Sequence, residues 1–403
     1  MGLAFPCHHP FRGFPKGTLT PFERSGLAFA VFTDPRGTGP VSALTQVGVA
    51  NQLSIWRQRL VPHTWRVTGK PEQITGGAGT EMQPSVGADK LALATTTENL
   101  GIWVLPVDAA TGQAKGEIER VTSSSASNQY PAVSANGNKL VFVSDRRRHF
   151  DVYERDLRSG TETALTMNQF DGISPFPSAD GARVLFYMWR GDQKPAFTFW
   201  EVNSEAGTPR LICGDCDGPL YCWSNDEKRV IYFKSQPGTR GALVVRDLDS
   251  GAESVFAMHP RYPVRLPHLS PDERWVAFQT VISQTQRKLF VAPVRDWKAG
   301  AEEEWIFIPD ARAPTTFSPD GNLLYFLSDR DGFRCIWAQR LDRATRRPVG
   351  QSFAVLHLHA ARRSLSFSLE IAAIGLSLAS NKIYFAMPEH TGNVWIAQLE
   401  GRP

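Results

Sequence analysis

The amino-acid sequence predicts an all-β fold assembled from repeated four-stranded antiparallel sheets, and three observations carry that prediction. A polar turn recurs at Asp89, Asn136, Asp180, Asp226, Asp272, Asp320 and Ser380, at intervals of 47, 44, 46, 46, 48 and 60 residues. A period of roughly 40–50 residues is that of a solenoid or a propeller. Short β-branched and aromatic runs alternate with turn dipeptides at regular spacing, which is an all-β pattern. No long segment repeats its apolar residues with the helical period, which disfavours α/β architectures. Composition agrees. The 403 residues are 42% apolar and 21% charged, enough for a large core, which excludes wholesale disorder. The 33 glycines and 28 prolines suit a turn-rich chain.

The elements can be read in order within one copy. The sequence from Ser318 is SPDGNLLYFLSDRDGFRCIWAQRL. A short strand, APTTF from Ala313, precedes the turn. Asp320-Gly321 closes the first hairpin, because glycine accepts positive φ and aspartate bonds its own backbone. Leu323 to Leu327 forms the second strand, SDRDG with Asp329 and Gly332 the second turn, and Cys335 to Leu341 the third strand. A more variable fourth strand closes the unit. Related turns stand at Ser178 (SADG, with Asp180 and Gly181), Ser270 (SPDE, with Asp272), Ser134 (SANG) and Ser224 (SNDE); Glu227 and Glu273 replace the turn glycine in two of them. Weaker copies begin at Gly87 and Ala379, and LAFAVF at Leu27, LSIWRQR at Leu53 and PEQIT at Pro71 read as a front unit. The expectation is therefore an irregular segment over 1–17 and a single propeller over 18–403. Its eight units fall near 18–78, 79–126, 127–169, 170–215, 216–260, 261–310, 311–364 and 365–403. An open ring would leave an unpaired edge, so the termini are expected to share a blade, which makes seven blades the alternative.

The SPDG turn, the apolar strand with Phe326, the SDRDG turn and the strand bearing Trp337 resemble the TolB-type, WD-repeat-like propeller motif. GKPEQIT at Gly69 and SGTETALT at Ser159 resemble most the propeller sensor region of bacterial receptor-like serine/threonine kinases. The resemblance implies a binding or ligand-sensing scaffold of a bacterial signalling or envelope system. It would take a protein or peptide partner, or a small ligand, at one mouth of the ring. It also implies a periplasmic location, whereas the start MGLAFPCHHPFRGF has no export pattern as written and reads as cytoplasmic.

Lys plus Arg is 44 and Asp plus Glu is 40, a net charge of +4 with the signs interspersed, so no nucleic-acid partner is expected. No apolar run approaches the roughly 18 residues of a transmembrane helix. GxSxG, the phosphate loop and the HRD and DFG pieces of a kinase are absent, so no catalytic residue and no cofactor is assigned. The alternatives are a hydrolase or lyase with its site on channel-mouth loops, and the orphaned sensor of a truncated kinase. The chain to Pro403 is expected to leave no room for a separate hydrolase domain.

Five cysteines are too few for a disulfide scaffold. Cys213-Gly-Asp-Cys216, with Cys222 six residues on, is half of a zinc motif without its partner pair, so the favoured reading is a blade-to-blade loop with Cys222 packed as a small hydrophobe, and metal is the lesser alternative. His357 and His359 alternate in LHLHA and would face one side of a strand; such a pair is more often a solvated strand face, and metal is the lesser alternative with no third ligand visible nearby. Arg146, Arg147 and Arg148 in a hairpin turn, with Trp189 and Trp223 departing from the repeat, are the candidate binding surface.

Overall fold

The computed structural model describes residues 28–32, 41–49, 52–61, 64, 66–76, 80–87, 90–167, 171–190, 196–204, 207–216, 218–235, 240–283, 285–360, 362–365 and 371–398. The expected irregular segment 1–17, Cys7 within it, the candidate inner strand at Thr18 and the turn residue Asp89 lie outside them. The chain packs as two compact units: residues up to Glu98 together with His390 onward, and Asn99–Glu389.

The larger unit is a propeller with six described blades, not the eight read from the repeat or the seven of the alternative. Five blades are antiparallel meanders in chain order. The first is Asn128–Val133, Lys139–Ser144, Asp151–Asp156 and Glu162–Ala164. The second is Asp171–Pro177, Arg183–Trp189, Phe197–Asn203 and Arg210–Cys213. The third is Leu220–Trp223, Arg229–Lys234, Ala242–Asp247 and Glu253–Ala257. The fourth is Val264–Leu269, Trp275–Val281, Arg287–Arg295 and Ile306–Ile308. The fifth is Arg312–Phe317, Leu323–Ser328, Cys335–Leu341 and Pro348–Leu356.

The sixth blade closes the ring and accounts for the miscount. As copies of the repeat, the segments from Gly87 and Ala379 would each carry a turn between a second and a third strand. Each is instead one uninterrupted strand, Lys90–Asp108 and Lys382–Gln398. Within the larger unit these strands lie side by side. Trp103 Nε1 donates to Met387 O at 3.0 Å, and Val107 N–H to Asn381 O at 2.9 Å. Ser377–Ala379 is the innermost strand, and Glu119–Arg120 adds outside. Two expected units thus supply one blade, in which both ends of the larger unit pair with each other.

The strands of the front unit fall in the smaller unit. Ala28–Phe32, Val41–Val49, Gln52–Leu60 and Val67–Gln73 form a four-stranded sheet in the smaller unit, whose core joins Leu44 and Ile55 to Leu91 and Leu93. The Glu81 carboxylate accepts the Ile55 N–H at 3.3 Å and the Thr75 hydroxyl.

Second strands such as LVFV, VLFYM and LLYFL are apolar on both faces because each blade is covered by a neighbour on either side. Phe142, Phe186, Phe278 and Phe326 are each fully buried there. Innermost strands carry register shifts beside proline: Tyr130-Pro131, Ser174-Pro175 and Leu266-Pro267. Tyr130, Ser174 and Leu266 adopt φ of 54°, 47° and 51° at these bulges. Proline is tolerated because the inner edge faces the channel and owes no hydrogen bond to a further strand.

Candidate functional site

The innermost strands of the six blades enclose a channel of about 1280 Å³. In each meander the first-to-second turn lies at one end, and the second-to-third hairpin and the blade-to-blade linker lie at the other. The two ends differ in chemistry.

The first end is built by the recurrent serine and aspartate. Ser178, Ser270 and Ser318 donate through Oγ to Oδ1 of Asp180, Asp272 and Asp320 at 2.7, 2.5 and 2.6 Å. Each Oγ also accepts the N–H five residues on, that of Arg183, Trp275 or Leu323, at 2.9–3.0 Å. Burial pushes the Asp272 and Asp320 carboxyls up, while the serine hydroxyl and backbone N–H bonds outweigh it and hold them below the usual range. For Asp180 the Ser178 hydroxyl is the largest influence, in the same direction. Gly181 and Gly321 adopt φ of 76° and 70° in these turns, and Glu227 and Glu273 occupy the same position at 59° and 53°. Neighbouring turns also bond to one another: Asn136 Nδ2 donates to Asp180 O at 2.7 Å, and Asn225 Nδ2 to Pro271 O at 3.0 Å.

The hairpin end presents arginines. Arg265 and Arg312 stand two residues before the bulge prolines of the fourth and fifth blades; Arg287 opens the fourth blade's third strand, and Arg334 immediately precedes that of the fifth. Arg312 pairs with Asp329, Nη2 to Oδ2 at 3.1 Å, and donates from Nη1 to Thr285 O at 3.3 Å. The Arg265 guanidinium stacks on Phe233, 3.3 Å from the ring centroid. Arg287 keeps a buried Nε with no acceptor. Burial lowers the Arg334 pKa, with Arg312 and Arg287 acting in the same direction and Asp329 opposing them. Guanidinium stays charged in proteins, so this end holds a surplus of positive charge. Among the described lining residues the other carboxylates, Glu227 and Glu273, belong to turns at the opposite end. Deeper in, burial pushes His268 down to about 4, so its imidazole is neutral at physiological pH, and it lies against Phe317 with ring centroids 6.3 Å apart.

The residues singled out in the sequence are dispersed. Cys213 and Cys216 are bonded as a disulfide in the linker between the second and third blades. Cys222 lies in an inner strand, donates from its thiol to Pro267 O at 3.1 Å, and is pushed up by burial to about 12. The three cysteines therefore do not form one ligand set. Arg146 pairs with Glu162 at 2.8 Å and stacks over Tyr153 at 4.2 Å, while Arg147 and Arg148 are exposed. Trp189 is exposed at the end of its strand. Trp223 lines the channel with a buried, unbonded Nε1 and the Arg183 guanidinium 5.5 Å from its ring. Asp329 binds Arg312, and Gly332 closes the same hairpin through its N–H to Asp329 O at 3.0 Å. His357 and His359 come together on Asp331. The channel arginines were not singled out. Aligning the copies on the bulge proline, not on the SPDG turn, sets Arg265-Leu-Pro267 beside Arg312-Ala-Pro314 and would have found two of them.

No family model matches the chain, and no curated protein matches it. Among solved structures, one described as TolB from Agrobacterium tumefaciens aligns at TM-score 0.55 and 17% identity, covering 73% of this chain and 99% of that one. TolB from Acinetobacter baumannii aligns at 0.48 and 14%, covering 76% and 79%. Oligogalacturonate lyase from Vibrio parahaemolyticus aligns at 0.45 and 12%, covering 92% of each chain. The first of these supports a shared TolB-like propeller fold, and at such identity the likeness is one of fold alone. The narrower resemblance to kinase sensors is not among what these matches show. Among the described residues no helix is long and apolar enough to cross a membrane.

Proposed function

We propose that the chain is a non-catalytic binding propeller that receives an acidic segment of a partner protein at the hairpin end of its channel. The observation that carries this reading is the set Arg265, Arg287, Arg312 and Arg334 around one mouth, with Asp329 the carboxylate set against it. A planar guanidinium matches a carboxylate with two parallel hydrogen bonds. Walls of low dielectric focus the field of several such groups. The volume of about 1280 Å³ exceeds the roughly 300–1,000 Å³ of ordinary small-ligand clefts and suits a peptide chain. Acid–base catalysis would ask for titrating groups that face one another, and His268 is held neutral against an aromatic ring.

The test is fluorescence anisotropy with a labelled oligo-glutamate peptide and an oligo-glutamine peptide of equal length. The acidic peptide is expected to bind more tightly and to weaken as salt rises. The double variant Arg265→Ala, Arg287→Ala is expected to lose roughly tenfold or more, since hydrogen bonds to charged groups contribute about 1.5–3 kcal/mol each. Equal binding of the two peptides, or undiminished binding by the variant, would overturn the reading.

A further inference from the structure

A second constellation lies away from the channel lining, at the outer side of the same hairpin loop. Pro348–Leu356 is the outermost strand of the fifth blade, and the chain beyond it keeps an alternating pattern. Leu358 is buried at 4% exposure, whereas the flanking His357 and His359 side chains are 53% and 42% exposed. Both imidazoles therefore project to one side, as alternation requires. There they meet Asp331 from the loop between the second and third strands. His357 Nδ1 and His359 Nε2 each lie 3.0 Å from the same oxygen, Asp331 Oδ2. Cys335, the first residue of the third strand, completes the group, and the four ligand atoms lie within 4.8 Å of one another.

The surroundings orient these donors. Asp331 Oδ1 accepts the Phe333 N–H at 3.3 Å, which leaves Oδ2 turned to the imidazoles. Phe333 stacks on His359 at 4.5 Å, and Trp337 meets His357 edge-on at 6.0 Å. The buried Cys335 Sγ accepts the Leu358 N–H at 3.3 Å, which fixes the direction of the sulfur. Such outer contacts fix ligand orientation in metal sites. Two imidazoles, a thiol and a carboxylate form a mixed nitrogen, sulfur and oxygen set that suits zinc better than calcium or magnesium. Bonds of about 2.0–2.3 Å at tetrahedral angles place ligand atoms roughly 3.3–3.7 Å apart. The nitrogen–oxygen pairs at 3.0 Å are already near that spacing, and the longest separations close to it by about an ångström of side-chain rotation.

We infer that Asp331, Cys335, His357 and His359 form a four-ligand site for a zinc-class divalent cation, which ties the hairpin loop of the fifth blade to the chain leaving its outermost strand. Binding forms a metal–sulfur bond at Cys335 and releases its thiol proton to solvent, while the imidazoles donate lone pairs as neutral rings. Four protein ligands fill the tetrahedron, so the role is structural. The loop it would fasten also carries Asp329 and Arg334 of the channel mouth.

The test uses the full chain with the Cys213–Cys216 disulfide formed, which keeps those two sulfurs from competing for metal. After dialysis against Zn²⁺ and then metal-free buffer, elemental analysis is expected to find one zinc per chain. The variant His357→Ala, His359→Ala, altered at two half-exposed side chains, is expected to retain less than a tenth of that while keeping its circular dichroism. Cobalt-loaded protein is expected to show thiolate-to-cobalt charge transfer, lost in Cys335→Ser. Folded wild-type protein that retains no zinc, an occupancy unchanged in the histidine variant, or a cobalt spectrum without the thiolate band would overturn the inference.

Discussion

The two ends of the channel are made from the same repeat and have opposite polar economies. At the serine–aspartate end the turn groups largely satisfy one another. Each serine Oγ is both donor and acceptor, each aspartate caps its own turn, and Arg346 Nη1 reaches from a later loop to Gly321 O at 2.6 Å. At the hairpin end the loops differ from blade to blade, and Arg265 and Arg287 have no carboxylate partner among the described residues. What every blade repeats holds the fold, and what breaks the repeat is where a ligand is recognised.

Three substitutions sharpen that contrast. Ser318→Ala should have the largest effect. It removes a fully buried hydroxyl and leaves the Leu323 N–H and Asp320 without their partner, at a cost of about 1–3 kcal/mol, read as a fall in the urea midpoint at unchanged slope. An effect near zero would break the claim that this end is scaffold. The next concerns His268, between the ends. Its folded pKa of about 4 lies below the ordinary value of about 6.5, so the unfolded chain takes the proton more readily. Its stabilising contribution is complete above about pH 6.5 and is lost as pH falls toward about 4. His268→Gln should flatten that part of the wild-type stability profile, measured by urea unfolding across the window. The smallest change in stability is expected for Arg287→Ala, within about 0.5 kcal/mol, because no ion pair is lost. A substantial destabilisation would make Arg287 scaffold as well and erase the contrast.

The contrast also explains what was legible in the sequence. The Ser-x-Asp turn closes within five residues, so its hydrogen bonds follow from local chemistry and the blades it marks could be read directly. The blade count failed where long-range pairing overrode local turn signals. Gly101 and Gly392 lie in the two long strands of the closing blade. In the fold they are points of close approach: a Cβ on Gly101 would stand 2.6 Å from Arg120 Nε, and one on Gly392 2.8 Å from Thr95 O. The alternation of His357 and His359 was visible, whereas Asp331 and Cys335 lie more than twenty residues earlier and reach them only through the meander of the blade. Arg287 and Arg334 were hidden because neither a motif nor a cluster marks them in the chain, whereas Arg265 and Arg312 share an Arg-x-Pro spacing that emerges only when the copies are aligned on the bulge proline.

The central claim, that the hairpin end of the channel receives an acidic segment, is tested most directly by locating that segment. An oligo-glutamate peptide carrying a photoreactive group at one end would be bound, irradiated and mapped by mass spectrometry. The account predicts cross-links at the inner strands beside Arg265 and Arg312 and at the loop from Asp329 to Arg334, abolished by Arg265→Ala with Arg287→Ala. Cross-links at the Ser134, Ser178, Ser270 and Ser318 turns, or on the outer strands of the blades, would contradict it.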